Sequence, residues 1–377
     1  MQLSETVKLY MTREQKSLIT ATMTEYINTV NSLVSDTTNG ISIAKYTTAD
    51  VKANLPSALT NQCIRDAKSI VKKYNKACRD ADRKNAKLVK KDKDIKVVVA
   101  IPVLRKPCCY INNQNYKVDG NYIVFPVLIN GKSKRISVKA KMTDNQKSIF
   151  ANSKLGTMRI VYKNNKIVAQ IVYEIAESVY DDEGNVMGVD LGIKCPAVSY
   201  ISDGNIKFYG NGRKNKYMRR HYAYLRKKLQ KAKHIDAVKR INNKEQCIMR
   251  DIDHKLSHEI VETAVAHDVK VIKLERLANI RSTTRTSRKN NHSLHNWSFY
   301  RLAQFIEYKA KLAGITVEYV NPAYTSQTCP VCGYVHHAND RNYVCKCGFR
   351  IHRDVLGAMH ICNSTEYVGD SNIRHTA

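Results

Sequence analysis

Cysteines between residues 329 and 347 constrain the fold of this chain more than any other feature. They occur as Cys329-Pro-Val-Cys332-Gly and Cys345-Lys-Cys347-Gly. Two close cysteine pairs, each followed by glycine, are typical of a zinc ribbon, because each tight turn directs two thiolates at one tetrahedral ion. The second pair is one residue shorter than the common C-x-x-C spacing, so its turn geometry is uncertain. We predict that these cysteines bind one structural zinc ion.

The remaining cysteines show no regular spacing among the 11 in the 377-residue chain. We expect them to be small buried hydrophobic residues: Cys63, Cys78, Cys108, Cys109, Cys195, Cys247 and Cys362. The N-terminus lacks the pattern of a signal peptide, and the longest apolar run, residues 97–104, is too short to span a bilayer. We therefore expect a cytoplasmic protein of the prokaryotic cytosol or nucleoid, with reduced thiols and no membrane partner.

The charge of the chain is strongly positive. Its 63 Lys and Arg residues against 33 Asp and Glu give a formal net charge of +30, which favours a polyanionic partner. Residues 64–96 are predicted to form a helix with 13 basic and five acidic residues, and residues 213–240 contain 12 basic residues and one acid. The alternative for each run is a basic helix face that is exposed to solvent and binds no partner.

Tyrosines interleave with the basic residues of the second run, at Tyr217, Tyr222 and Tyr224. Basic side chains can neutralise phosphates while aromatic faces stack on unpaired bases. We therefore predict a nucleic-acid-binding surface formed by Arg213, Lys214, Arg219, Arg220, Tyr222, Arg226, Lys227 and Lys228. The alternative is a solvated basic helix whose tyrosines pack on the domain.

The hydrophobic period changes along the chain and predicts an α+β multidomain protein. The spacing Thr12-x-x-Gln15 predicts a capping box at the start of a helix. Alternating patterns predict an antiparallel β module with strands at 121–127, 135–141, 157–163 and 166–175, joined at Asn130-Gly131 and Asn164-Asn165. Strands and helices then alternate, which predicts an α/β domain in the C-terminal half, with elements at 186–193, 251–267, 269–275, 299–312, 315–320 and 354–363.

Three acidic residues occur in contexts that suggest a shared metal site. Asp190 lies inside an apolar strand, Glu275 ends the strand 269–275, and Asp354 starts the last helix. A carboxylate in an apolar strand is costly unless it is paired or binds a cation, and hard oxygen ligands suit Mg²⁺. We hypothesise a site for two Mg²⁺ ions about 3.5–4 Å apart, as in phosphodiester hydrolysis. Taken singly, Asp354 could be an N-cap, Glu275 a surface acid and Asp190 a salt-bridged edge residue.

The order of several motifs resembles that of the TnpB family, whose members are transposon-encoded, RNA-guided DNA endonucleases related to compact type V CRISPR effectors. The motifs are GVDLGIK, RDIDHKLSHEIVETA, KLERLANIR, NPAYTSQTCPVCG and HRDVLGAMHI. The resemblance is close over residues 186–363, whereas the N-terminal half matches in architecture only. It implies a RuvC nuclease of RNase H-like fold, with Asp190, Glu275 and Asp354 as its catalytic, Mg²⁺-binding acids. Leu356 stands where many relatives have Asn, but all three acids are present.

The resemblance also implies an order of domains. It implies a helical recognition domain, a wedge-like β-barrel, a RuvC domain, an inserted zinc ribbon that binds target nucleic acid, and the end of RuvC with a tail. The respective ranges are 12–96, 1–11 with 97–182, 183–322, 323–350 and 351–377.

The function implied by the resemblance is RNA-guided cleavage of double-stranded DNA next to a short motif, with a noncoding guide RNA from the mobile element. Three alternatives stay open. The first is a CRISPR effector that uses a CRISPR RNA, the second is a guide-directed repressor that does not cut, and the third is a transposase that joins strands.

Overall fold

The computed structural model describes most of the chain: residues 1–89, 96–163, 166–175, 183–277, 287, 291, 294–321, 325–338 and 340–365. Two units pack separately, Met1–Ala176 and Glu177–Ala377. None of the helices within the described ranges is both long enough and apolar enough to cross a membrane.

The first unit contains a curled seven-stranded antiparallel sheet in the order β2-β6-β7-β1-β5-β4-β3. The predicted antiparallel β module is thereby confirmed. Its strands are β1 (Gln2–Tyr10), β2 (Cys108–Ile111), β3 (Lys117–Asp119), β4 (Tyr122–Ile129), β5 (Lys132–Lys141), β6 (Lys154–Lys163) and β7 (Lys166–Glu174). Asn130 and Gly131 both have positive φ, which is the backbone of a two-residue hairpin turn between β4 and β5. The predicted turn at Asn164-Asn165 lies outside the described residues.

Two long helices pack with each other and with the sheet: α1 (Arg13–Thr38) and α2 (Ser57–Val89). The predicted capping box is confirmed, because Thr12 accepts from the Gln15 amide and the Gln15 side chain accepts from the Thr12 amide. α2 begins earlier than predicted, since Leu59 and Thr60 already belong to its buried face. Residues 90–95, which were predicted as the continuation of this helix, lie outside the described residues. The short helix α3 (Asp144–Asn152) precedes β6.

The second unit is built on a mixed five-stranded sheet in the order β10-β9-β8-β11-β12. β8 (Asn185–Leu191), β9 (Ala197–Ile201) and β10 (Ile206–Tyr209) form an antiparallel meander. β11 (Val269–Glu275) and β12 (Thr316–Val320) run parallel to β8. β8 is therefore the central strand, and the carboxyl ends of β8 and β11 lie side by side.

The helices of this unit are α4 (Gly212–Lys231), α5 (Ile235–Ile241), α6 (Lys244–Ala266), α7 (Phe299–Leu312) and α8 (Arg353–Asn363). Alternate residues of a strand point to opposite faces of the sheet. Val189 and Ala197 pack in one cluster with residues of α6 and α7, whereas Val198 packs with Val355 and Ala358 of α8. α8 thus covers the face of the sheet opposite to α6 and α7.

Burial of the cysteines outside the ribbon agrees with the prediction for Cys63, Cys108, Cys109 and Cys362. Cys78 and Cys195 are half-buried, and Cys247 is exposed. The prediction was wrong for Cys247 because α6 begins at Lys244 rather than near residue 251, and its first turn lies ahead of the first buried residue, Met249.

Candidate functional site

Asp190 and Glu275 lie near the carboxyl ends of two neighbouring parallel strands. In the register of β8 and β11, Val189 lies opposite Leu274, so the next residues on both strands are these two acids. Val189 and Leu274 face the core shared with α6 and α7. Alternation along each strand therefore directs both acids to the opposite face, which α8 covers.

Asp354 reaches the same face from the first turn of α8. A Cβ added to Gly357 on α8 would lie 3.2 Å from Oδ2 of Asp190, so the helix passes directly over that carboxylate. Asp354 is only 7% exposed. The N-cap of α8 is His352, whose ring accepts from the Asp354 amide, so the reading of Asp354 as an N-cap was wrong. The edge-strand reading of Asp190 was also wrong, because β8 is central.

The electrostatics of the three acids reflect this crowding. Burial, then the charges of Glu275 and Asp354, raise the pKa of Asp190 well above its usual range. Burial also raises the pKa of Glu275, although Thr325 Oγ1 donates a 2.5 Å hydrogen bond to Glu275 Oε1 and partly offsets the increase. A cation among these carboxylates would relieve the cost of their charges.

An arginine from the ribbon segment contacts the third acid. Arg341 Nη1 donates to both carboxylate oxygens of Asp354, at 2.6 Å to Oδ2. Arg341 precedes β13 (Asn342–Val344), which pairs with β14 (Arg350–His352) immediately before α8. This hairpin therefore brings a cation of the cysteine-rich segment to the acid cluster.

The ribbon cysteines converge as the spacing predicted. Their sulfur atoms all lie within 4.8 Å of one another, with 3.6 Å between Cys329 and Cys347 and 3.4 Å between Cys332 and Cys345. Gly333 and Gly348 have positive φ, and Gly348 donates to the Cys345 carbonyl at 3.0 Å, so the short second pair also forms a tight turn.

A tetrahedral zinc ion fits these sulfurs, because Zn–S bonds of about 2.3 Å require sulfur atoms slightly less than 4 Å apart. Burial would raise the pKa of Cys329, but hydrogen bonds from the backbone amides of Cys332 and Val331 lower it to about 7, which favours the thiolate at this residue. The pKa values of Cys332 and Cys347 are instead raised, so a metal bound here would displace protons from these thiols. The four thiolates could therefore hold one zinc ion and leave none of its coordination positions open to a further ligand.

The three carboxylates form a looser group than the cysteines. Within the described part of the chain, the cysteine cluster is the only group of three or more His, Cys, Asp or Glu donors close enough together to hold one metal ion, and its ligand atoms lie within 4.8 Å of one another. Two Mg²⁺ ions about 3.5–4 Å apart, each about 2.0–2.1 Å from its oxygen ligands, suit acids spaced more widely than that. The hard oxygen donors and the raised pKa values of Asp190 and Glu275 fit this pair of cations.

The predicted nucleic-acid-binding residues all lie on α4, but they differ in how far their side chains are exposed. Arg213, Lys214, Arg220, Lys227 and Lys228 are exposed. Arg219 and Arg226 instead turn towards Glu245 of α6, with 3.9 and 2.7 Å between guanidinium and carboxylate atoms. Tyr222 is half-buried.

Two of the three tyrosines do not pack on the domain as the alternative supposed, whereas Tyr222 is half-buried. Tyr217 and Tyr224 are 64% and 66% exposed, so their rings are available to a partner. α4 has one buried residue, Gly212, in a helix of 20 residues, so its surface is largely open.

Comparison with known proteins shows what this chain is similar to. A family model described as "Probable transposase" (OrfB_IS605) matches residues 170–281, and one described as "Cas12f1-like, TNB domain" matches residues 299–361. A TnpB-like protein of Methanocaldococcus jannaschii is 28% identical over 273 residues, which cover 67% of this chain and 94% of that protein. These matches make the chain similar to proteins of the TnpB family over about two thirds of its length.

The family is related to compact type V CRISPR effectors. The Cas12f1 endodeoxyribonuclease of Syntrophomonas palmitatica is 32% identical to this chain over 206 residues, but the match covers 49% of the chain and only 40% of that enzyme. A cryo-EM structure of a Cas12f1–sgRNA–target DNA complex superposes with a TM-score of 0.63 at 13% identity, covering 92% of this chain and 81% of that one. CasPhi-2 (Cas12j) bound to crRNA gives a TM-score of 0.54 at 10% identity, covering 96% and 97%. The two structural similarities, both at low sequence identity, show a shared fold only.

Sequence reasoning missed the hydrogen-bond partners of Asp354 and Glu275. Arg341 and Thr325 contact Asp354 and Glu275 although both lie in segments that the motif reading assigned to the ribbon. Their only signal in the sequence was position, since each lies four residues before a cysteine of the ribbon, and polar residues beside a metal-binding loop occur for many reasons.

Four other polar or aromatic residues of the second unit contact neighbouring residues of the protein. The ring of His254 stacks on Phe305 at 3.9 Å, and Lys255 pairs with Asp251. Trp297 is half-buried against the hydrophobic core. Arg353 donates to the Ala338 carbonyl at 3.5 Å.

Proposed function

We propose that this chain is an RNA-guided DNA endonuclease whose active site is formed by Asp190, Glu275 and Asp354. The observation that carries the proposal is the convergence of three acids from two neighbouring strands and the helix above them. Relatives named as endodeoxyribonucleases support the reaction class. The net charge of +30 supports partners that are polyanions, namely guide RNA and target double-stranded DNA.

The domain assignment is part of the proposal. We assign residues 183–322 and 351–365 to a RuvC domain of RNase H-like fold and residues 323–350 to the zinc ribbon that binds target nucleic acid. Residues 1–11 and 97–182 are assigned to the wedge β-barrel, and residues 12–96 to the recognition domain. Within these ranges, residues 90–95, 164–165 and 176–182 lie outside the described residues. The final residues, 366–377, which were predicted as a tail, lie outside the described residues.

The three acids would hold two Mg²⁺ ions. When bound, these ions supply activation of water and stabilisation of the leaving oxygen. Asp190 and Glu275 must both be ionised to bind a cation, so their raised pKa values mean that protons compete with the metal for these sites. Arg341 neutralises Asp354 in the described arrangement and has further N–H groups that can donate to a phosphate oxygen.

The exposed basic residues of α4 would bind nucleic-acid backbone without reading sequence. Each Lys or Arg that neutralises a phosphate releases counter-ions, so binding should weaken steeply with salt. In guided systems, base pairing supplies sequence specificity and the protein reads backbone shape and a short adjacent motif.

The proposal is tested first by sequencing RNA that co-purifies with the protein expressed together with its native flanking DNA. That RNA then guides cleavage of matching DNA with Mg²⁺, using the wild type and Asp190→Asn. The matched control is Asp251→Asn, which removes an exposed carboxylate on α6 that pairs with Lys255. We expect cutting by the wild type and the control, and loss of cutting with retained RNA binding in Asp190→Asn.

Other results would favour the alternatives. RNA derived from a repeat array would indicate a CRISPR effector, and guided DNA binding by the wild type without cutting would indicate a repressor. Joined DNA strands would indicate a transposase. Cleavage by Asp190→Asn at the wild-type rate would show that the assigned acids are wrong.

A further inference from the structure

A cavity of about 580 Å³ lies in the second unit, apart from the three acids. Its walls come from α4, from the first half of α6, from the start of α7 and from the loop after β8. The volume falls within the range typical of small-ligand sites, about 300–1,000 Å³. None of the three acids lines it.

One wall of the cavity is apolar and includes an aromatic ring. Pro196, Met249, Trp297 and Leu302 contribute to it. Trp297 is held in place by packing on the hydrophobic core and by Phe299, whose ring centroid is 5.1 Å from that of the indole. A fixed indole beside aliphatic side chains suits a flat aromatic ligand.

The charges around the cavity favour an anion. Glu245 is already paired with Arg219 and Arg226, and Asp253 is paired with Arg301 at 2.6 Å. Both acids of the lining are therefore neutralised from within the protein.

Two further cations, Lys216 and Arg220, line the cavity from the exposed side of α4. Among the described residues, neither forms an ion pair with an acid. The cavity thus combines an apolar aromatic wall with two lining cations that pair with no acid of the described residues.

We propose that this cavity binds one unstacked nucleotide of a bound nucleic-acid strand. The base lies against Trp297 and the aliphatic wall, and the phosphate contacts Lys216 and Arg220. The inference rests on the proposed function for the source of the strand. Guide RNA and displaced single-stranded DNA share this chemistry, so the test must separate them.

Trp297 makes the test direct because it is the only tryptophan of the chain. A base stacked on an indole quenches its fluorescence, so emission from the full-length protein reports occupancy of this cavity alone. The probes are ribonucleoside monophosphates, followed by single-stranded RNA and DNA trinucleotides of equal sequence. We expect saturable quenching by the monophosphates and tighter binding of whichever trinucleotide matches the strand held here.

Two variants and two matched controls give the test its specificity. Ala223→Phe fills the cavity from α4, and its control Gln230→Phe adds the same ring on the same helix outside the cavity. Arg220→Ala removes the phosphate contact, and its control Lys231→Ala removes an exposed cation of α4 outside the cavity. Far-ultraviolet circular dichroism checks that each variant is folded.

Ala223→Phe should weaken nucleotide binding at least about fivefold, as expected when a base loses its stacking site. Arg220→Ala should weaken binding of the monophosphate but not of the uncharged nucleoside, and both controls should behave as the wild type. Absence of saturable quenching by every probe, or equal quenching in the wild type and Ala223→Phe, would overturn the proposal. Guided cleavage is measured in parallel, so a failed cavity with intact cleavage is distinguishable from failure of the proposed function.

Discussion

Gly188 determines how closely α8 approaches the central strand of the second unit. A Cβ at this position would lie 2.2 Å from the Ala358 carbonyl oxygen and 2.3 Å from the Cys362 amide nitrogen. Both neighbours are backbone atoms of α8, so no side-chain rotation can relieve the contact. Substitution by alanine must move the helix, and with it Asp354, relative to Asp190.

The required displacement follows from these distances. Ordinary van der Waals contact begins at 3.4 Å, so the Ala358 oxygen at 2.2 Å must retreat by about 1.2 Å. A misplacement of about 1 Å in a catalytic group can cost about 100-fold in rate. Overpacking of a core typically lowers the free energy of unfolding by about 1–3 kcal/mol. We therefore expect Gly188→Ala to fold, to melt at a lower temperature and to cut guided DNA about 100-fold more slowly.

The assay compares single-turnover cleavage with RNA binding and thermal melting. Gly156→Ala is the matched control, because it makes the same change in a strand of the first unit, where the new Cβ would meet the side chain of Val172 at 3.1 Å and a backbone atom only at the ordinary contact distance of 3.5 Å. Gly357→Ala should be intermediate, since its Cβ meets the movable carboxylate of Asp190. If Gly188→Ala cleaved DNA at the wild-type rate and melted at the wild-type temperature, the argument that this contact positions Asp354 would be refuted.

Three other predictions concern metals, protons and helix ends. Cys332→Ser should reduce bound zinc, measured by atomic absorption, and lower the melting temperature; equal zinc content in variant and wild type would contradict the assigned site. Because burial and then the neighbouring acids raise the pKa of Asp190, its charge destabilises the metal-free fold above the folded pKa, and this cost is relieved as pH falls from the folded pKa towards the lower unfolded pKa. Cleavage should fall over the same pH range, because protons compete with Mg²⁺ for the carboxylate, and added Mg²⁺ should shift the decrease to lower pH. A pH profile of cleavage that does not depend on the Mg²⁺ concentration would exclude this competition. Lys273 is buried and donates to two backbone carbonyls at the end of α8 at 3.2 and 2.9 Å, so Lys273→Met should cost about 1–3 kcal/mol in chemical denaturation. The control Lys270→Met removes a lysine paired with an exposed acid and should change stability far less.

Much of the fold was predictable because the signals are local. The alternation of β4 and β5 and the left-handed pair Asn130-Gly131 together determine one hairpin. The cysteine pairs needed only their turns and glycines to bring four sulfurs together. Such features depend on residues close in sequence, where periodicity and turn chemistry are informative.

The remaining features depend on contacts between distant segments. Arg219 and Arg226 were predicted to face nucleic acid from their spacing in a basic helix, but Glu245 of another helix draws both inward. Helical periodicity cannot reveal such a pair, since it depends on how α4 and α6 pack. The aromatic wall around Trp297 is likewise formed by elements that are separated in sequence.

The acid cluster and the cysteine cluster are connected through the hairpin of β13 and β14. Its first strand follows Arg341, and its last strand leads directly into α8, which begins with Arg353 and Asp354. Cys345 lies between the two strands, so a zinc ion bound there would fix the hairpin and thereby hold Arg341 against Asp354. A structural metal would in this way determine the charge environment of an acid that it does not touch. Loss of zinc should consequently alter Mg²⁺ affinity as well as stability, and isothermal titration of the zinc-depleted chain with Mg²⁺ measures this coupling. An unchanged affinity would show that the hairpin holds its arginine without the zinc ion.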